Sequence, residues 1–219
     1  ALAGGFPANA PKVLICPPAT LIAAAFAVAA TSPLLQYRQP VYILAGFAGI
    51  AAMALLLFQP LLAAARLPGL TPRRARSLHR IAGTVLVAAV LMHVGGLWLT
   101  SPPDVNDALA FAAPTPFSLW GVLAMWGTFA AALLAALRRR LPPRLWRVGH
   151  TGMVTGVVIA SAAHALLIEG TMGPVSKALL CAAALAATAL AIRDLKVWRL
   201  LRRRGQADRP SVSDMSKPR

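Results

Sequence analysis

Charged residues are scarce in this sequence, and acidic residues are the scarcest of all. Among 219 residues, 22 are lysine or arginine and only 6 are aspartate or glutamate, so that charged residues make up 13% of the chain. Soluble domains carry about 25% charged residues, and the composition therefore excludes an ordinary soluble fold. With 58% hydrophobic residues and a mean hydropathy of +0.67, the chain is predicted to lie in a lipid bilayer.

Cysteine is also rare, and the two cysteines, Cys16 and Cys181, are far apart in the sequence. They follow no metal-binding or redox spacing, so we expect both thiols to be inert. The formal net charge is +16. A nucleic-acid-binding protein would present such charge on one face of a soluble fold. Here the arginines lie between apolar runs, and no nucleic-acid partner is predicted.

Six apolar runs are long enough to cross a membrane. A spanning helix needs roughly 20 residues to cover a hydrocarbon core of about 30 Å. The runs are residues 18–35, 41–65, 77–100, 115–137, 146–168 and 175–192. The predicted fold is an all-α membrane protein with a six-transmembrane helical bundle. Residues 1–17 form an N-terminal segment, 18–198 the six-span domain, and 199–219 a basic tail that we expect to be disordered.

The arginines predict how the bundle is oriented. They cluster between spans two and three, between spans four and five, and after span six, which all lie on one side if the spans alternate in direction. By the positive-inside rule, both termini are then cytoplasmic, and the expected location is a bacterial inner (plasma) membrane. The start of the chain lacks the basic segment and cleavage site of a removed signal, so the first run is expected to remain as a span.

All four histidines fall inside predicted spans, where polar side chains are costly and usually functional. Span three contains His79 and His93, span five contains His150 and His164, and each pair has the spacing H-x13-H. Fourteen residues of α-helix turn through about 1400°, close to four full turns, so both members of a pair point to nearly the same face. They are separated by roughly 21 Å along the helix axis.

Spans three and five run parallel, so their histidines are predicted to meet at two depths. His79 would face His150 near the cytoplasm, forming what we call the inner pair, and His93 would face His164 in the outer pair. A haem iron held by two imidazoles is coordinatively closed, which suits one-electron transfer. The prediction is two haem groups between spans three and five, enclosed by spans two to five, with the four histidines as iron ligands.

Residues near the histidines fit the same prediction. Arg80 and Arg147 are candidates to bind haem propionates in charge-assisted hydrogen bonds. Gly83 leaves room for a flat macrocycle or a neighbouring helix, while Gly152 and Gly156 have the spacing of a helix-packing site. The tryptophans near span ends are interpreted as interfacial belt residues: Trp98, Trp120, Trp146 and Trp198.

These residues resemble a known family. The segment LHRIAG at 78–83, followed by His93, is similar to the third span of the ferric reductase and NADPH oxidase transmembrane domain. The segment WRVGH at 146–150, followed by His164, is similar to its fifth span. The resemblance covers about residues 41–196. It implies two haems b, bound by His79 with His150 and by His93 with His164, and electron flow from the cytoplasmic side to an outer acceptor.

The partners are expected to include the lipid bilayer and an electron donor. The residues after span six are too few for a flavin or nicotinamide domain, so a flavin would belong to a separate flavoprotein, as in the short bacterial haem b subunits of this family. A membrane quinol is the other candidate donor. The terminal acceptor is left open and could be an outer-side protein. Whether the chain is a component of an oxidoreductase is also left open.

Two other functions remain as alternatives. A quinol-linked cytochrome b of the respiratory type also carries H-x13-H pairs, but the link at 138–144 is too short for that family's helical insertion. A transporter could use intramembrane histidines for protons or a transition metal. The spans lack the acidic residues such pathways usually contain, since the only acid near a core is Asp194. Haem absorbance in the purified protein distinguishes a haem protein from a transporter.

Overall fold

A computed structural model describes residues 16–195, and the side chains from Pro18 onward. The described residues contain helices and no strand, in the order α1 Cys16–Ala30, α2 Pro40–Ala63, α3 Pro72–Thr100, α4 Pro102–Leu109, α5 Pro116–Ala136, α6 Pro143–Leu167 and α7 Pro174–Asp194. Single 3-10 turns lie at Pro33–Leu35 and Leu137–Arg139. The N-terminal segment and the tail, 199–219, fall outside the described residues apart from Cys16 and Pro17.

Proline determines where most helices begin. Six helices, α2 to α7, start at a proline. Proline suits this first position because its fixed φ is already helical and the N–H that it lacks would have no helical partner there. Thr71 also caps α3, because its side-chain oxygen accepts a hydrogen bond from the Arg74 N–H at 3.3 Å.

Five of the helices, α2, α3, α5, α6 and α7, are long and apolar enough to cross a membrane. They correspond to the predicted spans two to six, and the prediction of an all-helical multi-pass protein is confirmed to that extent. The helix in the first apolar run, α1, has 15 residues, about 22 Å at 1.5 Å per residue. Span one, and with it the total of six spans, therefore remains a prediction.

The bundle is built from two helical hairpins, α2 with α3 and α5 with α6, which have the most extensive packing in the described chain. Small residues permit the close approach. A Cβ placed on Gly96 of α3 would lie 2.8 Å from Ala45 Cβ, and one on Gly127 of α5 would lie 2.8 Å from Val157 Cγ2. Such contacts are typical of membrane helices that pack through small residues.

The last helix, α7, packs against both α2 and α6 and so joins the two hairpins. The buried core lies between these helices and includes Leu57 of α2, Val158 of α6, and Leu180 and Ala184 of α7. Cys181 is 2% exposed and belongs to this core, and its side chain forms no disulfide. In contrast, α3 is the least buried of the five long helices.

One ion pair shows which ends of the helices lie together. Arg66, just after α2, donates a side-chain hydrogen bond to Asp194 at the end of α7. This hydrogen bond raises the pKa of Arg66 above its usual value. The loop between α2 and α3 and the end of α7 therefore lie at the same end of the bundle, which we call the basic end.

Candidate cofactor site

The outer pair of histidines comes together between the two hairpins. His93 of α3 and His164 of α6 have ring centroids 6.4 Å apart and ring planes inclined by 78°. Both rings are largely buried by the helices around them, and Phe117 of α5 packs edge-on against His164 at 5.9 Å. The two histidines are 71 positions apart in sequence, so only the packing of the two hairpins brings them into contact.

The inner pair lies one level closer to the basic end. His79 lies fourteen residues before His93 on α3, and His150 lies fourteen residues before His164 on α6, which is roughly 21 Å along each helix axis. His79 contacts α2 at Gln59 near the end of that helix, whereas His93 contacts it at Ala45 near the start. The structure thus places the four histidines at two depths, two on each of two helices, as their spacing predicts.

Backbone carbonyls orient three of the four imidazoles. The Nδ1 atoms of His79, His93 and His164 hydrogen-bond the carbonyl oxygens of Gln59 at 3.1 Å, Ala45 at 2.8 Å and Phe117 at 2.8 Å, respectively. Because a carbonyl only accepts, each of these Nδ1 atoms carries the proton and each Nε2 keeps a free lone pair. This is the form in which a neutral histidine binds a metal through Nε2.

The fourth histidine, His150, lacks this support. The carbonyl of Ala131 lies near its ring, but His150 Nδ1 has no partner with hydrogen-bond geometry among the described residues. Ala131 follows Phe117 by fourteen positions on α5, just as Gln59 follows Ala45 on α2. The two hairpins therefore offer equivalent carbonyls at both levels, and the inner contact on α5 is the weak one.

Two glycines, Gly49 and Gly121, leave the space that the rings of the outer histidines occupy, and we call them the glycine seats. A Cβ placed on Gly49 of α2 would lie 2.9 Å from His93 Nδ1, and one on Gly121 of α5 would lie 2.7 Å from His164 Nδ1. Both distances are shorter than non-bonded atoms accept, so only glycine allows each ring to reach its carbonyl, Ala45 or Phe117, one helical turn earlier. These two glycines are not among the site residues predicted from the sequence. In the sequence, Gly49 and Gly121 are separated by nearly the same number of residues as His93 and His164. This matching spacing is the signal that could have identified the two glycines.

The other predicted site residues lie as follows. Arg80 and Arg147 are exposed on the same helices as the inner pair, and their role toward propionates stays a prediction. Gly83 faces α2, where a Cβ would lie 3.2 Å from Gln59 Nε2, and its predicted cofactor-binding role stays a prediction. A Cβ on Gly152 or Gly156 would meet nothing within 4 Å, so no helix of the described chain packs against them, and their predicted helix-packing role stays a prediction.

A bis-histidine metal centre fits the outer geometry. Among the described residues, no group of three or more His, Cys, Asp or Glu side chains is placed to hold a metal ion, so the donors come as pairs. With metal–nitrogen bonds of about 2 Å and about 1.2 Å from nitrogen to ring centre, two imidazoles on opposite sides of one metal would have centroids roughly 6.4 Å apart. The observed 6.4 Å matches this value.

Fold and site together define a helical, multi-pass membrane protein with paired histidines between its helices. Comparison with protein families gives the particular family. The model for the ferric reductase like transmembrane component matches residues 46–161, which is just over half of the chain. The chain belongs to this family, as the histidine motifs predicted. No curated protein and no solved structure matches the chain.

Proposed function

We propose that this chain carries electrons across the membrane through two b-type haems, one held by His79 and His150 and the other by His93 and His164. Membership of the ferric reductase-like family suggests transmembrane electron transfer, and domains of this family generally bind haem. The observation that carries the proposal is the outer pair, whose 6.4 Å centroid separation and Nδ1 hydrogen bonds would let both imidazoles hold one iron.

The protein's part in this function is to hold and insulate the redox centres. A haem with two imidazole ligands supplies one-electron transfer between ferrous and ferric iron. Carbonyls on α2 and α5 hold three of the four imidazoles, those of His79, His93 and His164, in the tautomer that leaves Nε2 free. The apolar helices exclude water and keep both sites at fixed depths, so that electrons move between two centres instead of crossing the full bilayer.

The direction and the partners belong to the same proposal. By the positive-inside rule, the basic end faces the cytoplasm, which makes the inner pair the entry point. A cytoplasmic flavoprotein is the proposed donor, since ferric reductase-like domains usually work with flavin partners, and the acceptor lies on the outer side. A membrane quinol is the alternative donor.

Haem content tests the proposal directly. The purified full-length protein should contain two haems, and its absorbance should show a b-type band on reduction with dithionite. His79→Ala and His150→Ala should each lose the inner haem, while His93→Ala and His164→Ala should each lose the outer one. A colourless preparation would overturn the proposal and favour the transporter alternative, and wild-type haem content in any of the four variants would overturn the pairing.

Transport of electrons needs a separate measurement. Liposomes containing the protein and trapped ferricyanide can be exposed to external dithionite, which does not cross the bilayer. We expect rapid bleaching of the ferricyanide with the wild-type protein and none above empty liposomes with His79→Ala. Equal rates for the two proteins would exclude electron transfer through the inner site.

A further inference from the structure

The inner level contains all three buried polar atoms that have no hydrogen-bond partner among the described side chains. They are Gln59 Oε1, Trp146 Nε1 and His150 Nδ1. Gln59 provides the carbonyl that orients His79, and Trp146 lies one helical turn before His150 on α6. Buried polar atoms are nearly always paired. Gln59 Oε1 is itself an acceptor, whereas Trp146 Nε1 is a donor without an acceptor, so Trp146 indicates that a bound group supplies an acceptor at this level.

Trp146 and His150 also stack on one another. Their ring centroids are 5.5 Å apart and their planes are inclined by only 14°. Since the Ala131 carbonyl makes only a weak contact with His150, the stack on Trp146 is a second contact that restrains the plane of this ring. Position alone predicts an interfacial belt residue, but its buried and unpartnered indole N–H sets Trp146 apart.

The kind of group that would pair with Trp146 Nε1 follows from the chemistry of the indole ring. An indole N–H can only donate, so it needs an acceptor. Arg80 and Arg147 lie on the same two helices at this end, and their positive charge favours an anionic acceptor over a neutral one. Carboxylate is the anionic group that a haem carries.

We infer that Trp146 is a positioning residue of the inner site, where its ring stacks on His150 and its indole N–H donates a hydrogen bond to a haem carboxylate. The inference rests on the proposed function. The Trp146 side chain makes two contributions, the ring stack and the N–H hydrogen bond, and different substitutions remove them. Trp146→Phe keeps an aromatic ring but has no N–H, and Trp146→Leu removes both.

The test uses haemin titration of the full-length apo-protein in the His164→Ala background, in which only the inner pair is complete. A hydrogen bond to a charged group contributes enough that Trp146→Phe should weaken haemin binding about tenfold or more. Trp146→Tyr, which restores a donor on an aromatic ring, should recover part of that loss. The matched control is Trp126→Phe, at a tryptophan 56% exposed, which should leave binding unchanged.

The stacking part has its own readout. The low-spin electron paramagnetic resonance signal reports the orientation of axial imidazoles, so Trp146→Leu should shift or broaden the inner signal, whereas Trp146→Phe should keep it. Unchanged haemin affinity in Trp146→Phe would overturn the hydrogen bond, and an unchanged signal in Trp146→Leu would overturn the stack. If the His164→Ala protein itself binds no haemin, the proposed inner haem site is wrong. This outcome differs from the two that would overturn the role of Trp146, so failure of the proposed function and failure of the inference are distinguishable.

Discussion

His93 and His164 face each other with ring centroids 6.4 Å apart, although they belong to different helical hairpins. Each ring rests on a glycine and donates from Nδ1 to a carbonyl one turn before that glycine on the neighbouring helix. The two halves of the outer site are thus built in the same way. Because both Nε2 atoms are left free, the arrangement is preorganised for two bonds to one metal.

The glycine seats give the first prediction. Gly49→Ala and Gly121→Ala should each lower the outer haem content, because the added Cβ would lie 2.9 Å or 2.7 Å from an imidazole nitrogen and must displace the ring. Haem per protein, measured by absorbance after purification, checks this. Gly46→Ala is the matched control on α2, since a Cβ there meets nothing within 4 Å. Wild-type haem content in both Gly49→Ala and Gly121→Ala would contradict the conclusion that these glycines leave the space needed by the imidazole rings.

Coordination gives the second prediction. If both axial positions are occupied by histidine, carbon monoxide should not bind the reduced protein or change its absorbance. In His164→Ala, which loses the outer haem, the inner haem should remain insensitive to carbon monoxide, because both of its histidine ligands are still present. A carbon monoxide shift in the wild-type protein would argue against bis-histidine ligation.

The arginines near the inner pair give the third prediction. Arg80→Gln and Arg147→Gln should lower the midpoint potential of the inner haem, on the order of tens of millivolts, because a nearby positive charge favours the reduced state. Both side chains are exposed, so added salt should shrink the shift. Arg73→Gln, also exposed at the basic end, is the control. A redox titration that gives the same midpoint for all four proteins would count against a propionate role.

The end of α2 gives a prediction about stability. Ala65 has a left-handed backbone with φ of 52°, and the Arg66 N–H bonds the Leu61 carbonyl across it at 2.9 Å, as in a Schellman motif. Glycine has no Cβ to strain there, so Ala65→Gly should stabilise the protein by about 0.5–1 kcal/mol.

The neighbouring Ala64 is the control for this change. Its φ of -84° is right-handed, so Ala64→Gly should destabilise the protein by up to about 1 kcal/mol. Thermal unfolding in detergent measures both variants. A lower midpoint for Ala65→Gly than for the wild-type protein would show that backbone strain at this position is not the controlling factor.

The sequence by itself determined the membrane class, the five long spans and the depths of the histidines. These follow from local rules: apolar length decides which segments cross the bilayer, and fourteen residues return to nearly the same helix face. The same motifs were enough to predict the family. Haem ligation and the orientation in the membrane remain predictions, because they depend on a bound group and on a bilayer.

Only the tertiary structure decided which atoms meet these histidines. The carbonyls of Ala45, Gln59 and Phe117, the seats at Gly49 and Gly121, and the stack of Trp146 on His150 all depend on contacts whose geometry no single segment specifies. The same holds for Gly152 and Gly156, where an added Cβ meets no other helix of the described chain. A spacing defines a face of one helix, but the crossing angle and axial offset between helices decide what that face touches.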